Sequence, residues 1–193
     1  MPKLIGVMKF LRSIPYENIS KAVKRSEVTD IRDAPRLSSE LMRAHRELGT
    51  GGTCFSLSWY LNNFLNEEGI NSRIVMCDRA YGENTHCAVI VDQQDENQRY
   101  LLDPGYLSFL PLEIMDNEIS RMETPYNSIY LEPEDGKRRY ALYTFYKNER
   151  KYRFTIKDIP INKEDFMNYW YKSFDAEFMK KPVLTKLIGN KHY

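Results

Sequence analysis

Cys54, His86 and Asp103 are the residues of this chain best suited to covalent chemistry. Cys54 follows the stretch "LGTGGT" and opens the apolar run "CFSLSWYLNNFL", which reads as a helix. A helix N-terminus carries unpaired N–H groups and the positive end of the helix dipole, so it favours an anion. The thiolate is an anion, and it is the reactive form of cysteine. Three glycines between Gly49 and Gly52 imply an unusual backbone path just before it, because glycine is costly to order. A cysteine nucleophile also needs a base, and a third group to orient that base. Of the three histidines, His192 lies in a terminal stretch of the kind that frays, and His45 sits among charged residues of a helix and reads as a rim residue. His86 heads the strand "HCAVIVD", and an acid, Asp103, follows in the next strand at "LLDPG".

Register alone predicts that these two meet. With "QQDE" as a four-residue hairpin loop, Asp92 faces Asn97, Val91 faces Gln98, and the ladder brings His86 opposite Asp103. Directly opposed residues have Cβ atoms about 4.5–5.5 Å apart, right for an imidazole–carboxylate hydrogen bond. Alternation places His86, Ala88 and Ile90 on one face and Cys87, Val89 and Val91 on the other. In this reading His86 deprotonates Cys54 and Asp103 fixes the imidazole tautomer. Dipole and imidazolium together bring the thiol below its free value of about 8.5. Each residue also has an ordinary reading: Cys54 as a small buried hydrophobe, Asp103 as a turn residue before Pro104-Gly105. A metal site is not predicted, since His86 and Cys87 point to opposite faces and no C-x-x-C pair exists. Cys77 and Cys87 read as core thiols, and "GTGG" lacks the G-K-[ST] of a phosphate loop.

The elements that must position these residues fall in an order. "KLIGVMKFLRSI", "SSELMRAHRELG" and the run from Cys54 have helical periodicity, with Thr53 as N-cap of the last and Gly49 closing the second. From Asn71 the period changes to that of strands: "SRIVMCDRAY", "HCAVIVD", "RYLLDPGY", "NSIYLEP", "RYALYTFYK" and "KYRFTIKDI". "NKEDFMNYWYKSF" returns to helix with Asn162 as its cap. Helices first, antiparallel strands second and a helix last give an α+β fold. The division predicted is a helical domain over 1–70 carrying the nucleophile, a β-barrel over 71–160 carrying His and Asp, and a C-terminal helical segment over 161–193. With 28 basic and 27 acidic residues, no global field points to nucleic acid or to a membrane surface. No apolar run approaches a membrane span, and the N-terminus lacks a secretory pattern. Three cysteines without framework spacing fit a reducing cytoplasm.

Four ordered segments resemble the arylamine N-acetyltransferase family: "IPYENI" at 14–19, "GTGGTCFS" at 49–56, "HCAVIV" at 86–91 and "YLLDPGY" at 100–106. The later "YRFTIKDIPINKEDFMNYWYKSF" is similar to the family's stretch that ends the barrel. The resemblance implies a helical bundle packed on an antiparallel β-barrel, related to cysteine-proteinase and transglutaminase cores. It implies a Cys54–His86–Asp103 triad, acetyl-CoA as acyl donor, and a small arylamine or hydrazine as acceptor. Tyr16, Phe55 and Tyr106 are implied as substrate-binding residues. Thr50, Thr53 and Ser56 stand where the family has arginine, tyrosine and glutamate, which implies loss of a buried charged network behind the nucleophile loop. The chain stops about where the family's third, lid-like domain begins, leaving little material over the cleft. A transglutaminase-like thiol hydrolase acting on an amide, and a catalytically silent binding domain, are the alternative readings.

Overall fold

The computed structural model describes residues 2–93, 98–106, 110–134, 138–188 and 191–192. Four helices come first: α1 (Pro2–Leu11), α2 (Ile19–Glu27), α3 (Ser38–Leu48) and α4 (Cys54–Glu67), with a two-residue strand β1 (Tyr16–Glu17) after the first. α3 ends on Gly49, whose φ of 67° is the left-handed C-cap that glycine adopts without strain. Thr53 is the N-cap of α4, but its hydroxyl makes no capping hydrogen bond. The sequence reading passed over α2, a short helix with Lys24 and Arg25 in its last turn.

Eight antiparallel strands then form one sheet in the order β5-β4-β3-β2-β9-β8-β7-β6, curled into a nearly closed barrel. They are β2 (Ser72–Arg79), β3 (Gly82–Gln93), β4 (Gln98–Leu102), β5 (Leu112–Glu113), β6 (Ser120–Glu123), β7 (Ser128–Glu134), β8 (Arg139–Tyr146) and β9 (Glu149–Lys157). The long-range step is β2 on β9, pairing Cys77 with Ile156 and Asp78 with Thr155. Alternation along β3 holds as predicted. Cys87, Val89 and Val91 pack with Leu57, Leu61 and Leu65 of α4 in one core, and Ala88 and Ile90 join Phe154 and Ile156 inside the barrel.

α5 (Lys163–Lys172) begins at Asn162, whose side chain accepts from the Asp165 N–H at 2.8 Å, the predicted cap. It lays Phe166 and Trp170 on Phe55 and Trp59 of α4, joining the helical core. After a 3-10 turn over Glu177–Lys180 the described residues form short strands rather than the helical segment expected. β10 (Leu184–Thr185) pairs antiparallel with β1, and β11 (Leu187–Ile188) pairs with β12 (Lys191–His192). The Asn18 side chain holds this return in place. Its amide donates to the carbonyls of Phe178 and Lys181 at 2.9 and 2.8 Å, and its oxygen accepts from the Val183 N–H at 2.8 Å.

Candidate active site

The glycine run is explained by close backbone approach. A Cβ on Gly51 would lie 1.6 Å from the Pro15 carbonyl oxygen, and one on Gly52 would lie 2.3 Å from Ser56 Oγ. Only bare backbone fits there. It lets the Gly52 N–H donate to Pro15 O, and the Glu17 N–H donate to Gly52 O, each at 3.1 Å, tying the nucleophile loop to the "IPYEN" segment.

A charged network does support this loop, contrary to the implication drawn from Thr50, Thr53 and Ser56. Glu17 and Arg36 are both buried and lie 3.7 Å apart. Glu17 accepts from the Gly51 N–H at 3.1 Å, and Arg36 donates to the Gly51 carbonyl at 3.0 Å and to Thr50 Oγ1 at 3.4 Å. The charges come from β1 and from the segment before α3. Motif positions alone hid them, because an arginine fourteen residues upstream of Thr50 carries no local signal. His45 is the rim residue expected, its Nδ1 lying 2.9 Å from the Thr50 carbonyl oxygen.

Cys54 is the first residue of α4 and is almost fully buried at the floor of a cavity of about 360 Å³. The predicted hairpin pairing needs correction. Val89 faces Leu102 and Gln93 faces Gln98, so the ladder lies two residues from the predicted register and Asp103 falls diagonal to His86. Predicted loop residues 94–96 lie outside the described residues. A slip of two preserves the face, and it is the face that matters. His86 Nε2 donates to Asp103 Oδ2 at 2.8 Å, with both side chains fully buried. Asp103 Oδ1 accepts from the Tyr106 N–H at 2.9 Å, the turn role predicted for it as well. The slip brings Gly105 against Cys54 and His86. A Cβ there would lie 2.7 Å from Cys54 Cβ and 3.2 Å from His86 Cε1.

His86 does not head its strand. β3 starts at Gly82 and pairs it with Arg79, and the next regular pair is Cys77 with His86. Glu83, Asn84 and Thr85 therefore oppose Asp78 alone, a bulge with Asn84 at a φ of 54°. Bulges beside active sites re-aim side chains. The Asp78 carboxylate fixes this one by accepting from the Asn84 N–H at 2.9 Å and from Lys157 Nζ at 2.7 Å. Beyond it Arg79 reaches back into the site, its Nη2 3.1 Å from His86 Nδ1 and its Nη1 2.7 Å from Tyr81 Oη. The sequence reading missed Arg79, because an arginine at a strand end carries no signal of where a bulge will aim it.

The electrostatics favour a thiolate. Hydrogen bonding from the Cys87 thiol, with the positive charges of His86 and Arg79, holds Cys54 well below the ordinary cysteine range, against burial. Cys87 is thus a neighbour of Cys54 as well as the core thiol expected. Burial first, then the hydrogen bond to Cys54 and its charge, push the Cys87 thiol up, and burial with the charges of Asp103 and Cys54 raises Cys77. For His86, burial acts downward, but the charges of Asp103 and Cys54 outweigh it and raise the imidazole to about 9.

The implied substrate-binding residues are placed differently from one another. Tyr16 and Phe55 line the Cys54 cavity, although Phe55 is chiefly a core ring against α5. Tyr106 lines an adjoining cavity with Gly105, Tyr126 and Arg153. Tyr16, Arg79 and Phe178 border both spaces. Among the described residues no group of three or more His, Cys, Asp or Glu could hold a metal ion, and no helix is long and apolar enough to cross a membrane.

Comparison with known proteins agrees with this fold. No curated protein sequence matches the chain. An arylamine N-acetyltransferase of Mycobacterium marinum superposes with a TM-score of 0.79 at 16% identity, covering 99% of this chain and 72% of that one. The Salmonella typhimurium enzyme superposes at 0.76 and 18%, covering 98% and 69%. The Bacillus cereus NAT3 enzyme, described with a unique Cys-His-Glu catalytic triad, superposes at 0.75 and 18%, covering 99% and 76%. The M. marinum enzyme has also been solved in complex with CoA. The N-acetyltransferase family model matches residues 4–193, so the chain belongs to the family of the arylamine N-acetyltransferases.

Proposed function

We propose that this protein moves an acyl group from acyl-CoA to a small amine or hydrazine through a thioester on Cys54, with His86 as base and Asp103 as its orienting acid. The observation that carries the reading is the His86–Asp103 hydrogen bond of 2.8 Å beside a cysteine at a helix start. Because Nε2 is engaged by Asp103, Nδ1 is the nitrogen left to exchange a proton with sulfur. The thiolate attacks the thioester carbonyl carbon, the bond from that carbon to the CoA sulfur breaks, and CoA leaves with the proton held on Nδ1. The acceptor nitrogen then attacks the Cys54 thioester, giving up its proton to His86 as the sulfur is released. Tyr16, Phe55 and Tyr106 line the space through which both substrates reach the sulfur. The return of the chain through Phe178 supplies one wall of that space, and a wall against water favours transfer over hydrolysis. Three unpaired thiols suit a reducing compartment, in keeping with the cytoplasm.

Intact-mass measurement after mixing with acetyl-CoA tests the reading. One acetyl adduct on the wild type, none on Cys54→Ala, and discharge of the adduct by an arylamine or hydrazide are expected. No adduct from any acyl-CoA, with Cys54 still reactive toward alkylation, would replace it with a thiol hydrolase.

A further inference from the structure

The cavity over Cys54 is lined by three cationic side chains, Lys21, Arg79 and Lys172, and by one acid, Glu83, exposed at its rim. Among the described residues none of the three cations lies within salt-bridge range of a carboxylate. Lys21 is 5% exposed, donates to Ser173 O at 2.9 Å and Ser173 Oγ at 2.5 Å, and lies 4.4 Å from the centre of the Phe174 ring. Arg79 is held only by Tyr81 and by the imidazole nitrogen that must serve the sulfur. Buried cations without a paired anion are costly, and burial duly pulls Lys21 down to about 8. Lys21 is buried and Arg79 half-buried, and the anion acting on both is the Cys54 thiolate, whose charge is lost on acylation, so an anionic group on the acyl chain would replace it.

CoA phosphates are one source of negative charge, but position argues for a nearer one. Arg79 contacts His86 Nδ1, the nitrogen that serves the sulfur, and lines the same cavity as Cys54, so its guanidinium flanks the space in which an acyl group on Sγ would sit. It also sets a positive charge against the His86 imidazolium and opposes its protonation. A carboxylate that drew the guanidinium off would relieve that like-charge contact and favour the imidazolium that must give its proton to the departing CoA.

Resting on the acyl-CoA reading above, we propose that the preferred donor is a short dicarboxylic acyl-CoA of the malonyl or succinyl type, whose free carboxylate is bound by Arg79 with support from Lys21. Bond changes are those of any acylation: Sγ–C(acyl) forms, the C–S bond to CoA breaks, CoA departs protonated, and the distal carboxylate is unchanged. A charge-assisted, two-pronged contact from guanidinium to carboxylate is among the stronger polar interactions.

The test is the acylation half-reaction, with no acceptor present, followed by intact mass. Malonyl-CoA, succinyl-CoA, the methyl ester of malonyl-CoA and acetyl-CoA all carry the same CoA phosphates, so their rate ratios report on the acyl end alone. Malonyl- or succinyl-CoA is expected to acylate Cys54 at least about tenfold faster than acetyl-CoA and the methyl ester. Arg79→Met should remove most of that preference, and Lys21→Met part of it. Equal or faster reaction of acetyl-CoA and the methyl ester in the wild type overturns the proposal while leaving acyl transfer intact. So does a preference unchanged in Arg79→Met. Failure of every acyl-CoA to form a thioester overturns the underlying reading as well. The wild-type comparison needs no variant to fold.

Discussion

Two fully buried aspartates stand in opposite kinds of company. Asp158, just past the end of β9, meets three arginines: Arg73 through Nη2 at 2.5 Å, Arg138 at 2.9 Å, and Arg99. Arg73 is also shared with Asp92 and Arg99 with Asp116. The cluster joins residues from β2, β4 and the β7–β8 and β9 ends, so it ties the barrel together where long-range pairing closes it. Asp103 has one histidine and one backbone N–H. In the cavity over Cys54 the cations Arg79 and Lys21 meet no carboxylate among the described residues. Saturated charge fixes a structure; charge left open towards a cavity is available to a substrate.

The sharpest way to break this comparison is to neutralise each acid in turn. Asp103→Asn should keep the fold and lower Cys54 acylation by about 10³–10⁴, because the amide no longer fixes the His86 tautomer or offsets its charge. Acylation rates beside thermal melts check this, and undiminished acylation would reduce Asp103 to a turn residue. Asp158→Asn should do the reverse. It leaves three arginines short of a partner and should cost about 3–5 kcal/mol of stability, read from urea midpoints, with near-normal alkylation of Cys54 in the protein that remains folded. Loss of alkylation at full stability would place Asp158 in the site's machinery instead.

A smaller effect sharpens the electrostatic half. Cys54 is held low, so its thiolate is present above its depressed pKa and is lost only as pH falls through that value. Iodoacetamide labelling of Cys54 should therefore be near its plateau at neutral pH. A further change is expected near pH 9, as the imidazolium of His86 loses its proton. Cys77 and Cys87, raised by burial, should stay unlabelled in the folded protein. Equal labelling of all three thiols, or a Cys54 profile with its midpoint near 8.5, would remove the ion pair from the account.

Local chemistry was legible wherever one residue acts on its neighbours. The glycine run, the helix start at Cys54, the Asn162 cap and the two faces of β3 follow from steric limits and periodicity within a few residues. The contact between His86 and Asp103 was legible too, although through a register two residues from the observed one. The error was harmless because sheet faces repeat every second residue. What tertiary structure alone decided lies further apart in the chain. Glu17 and Arg36 reach the nucleophile loop across the helical bundle, and β9 closes on β2. The bulge over Glu83–Thr85 turns Arg79 onto His86, and α2 buries Lys21 against Ser173. Periodicity and capping are set by short-range sterics that a sequence states directly. Where a long, charged side chain ends depends on which distant backbone packs beside it, and only the folded chain determines that.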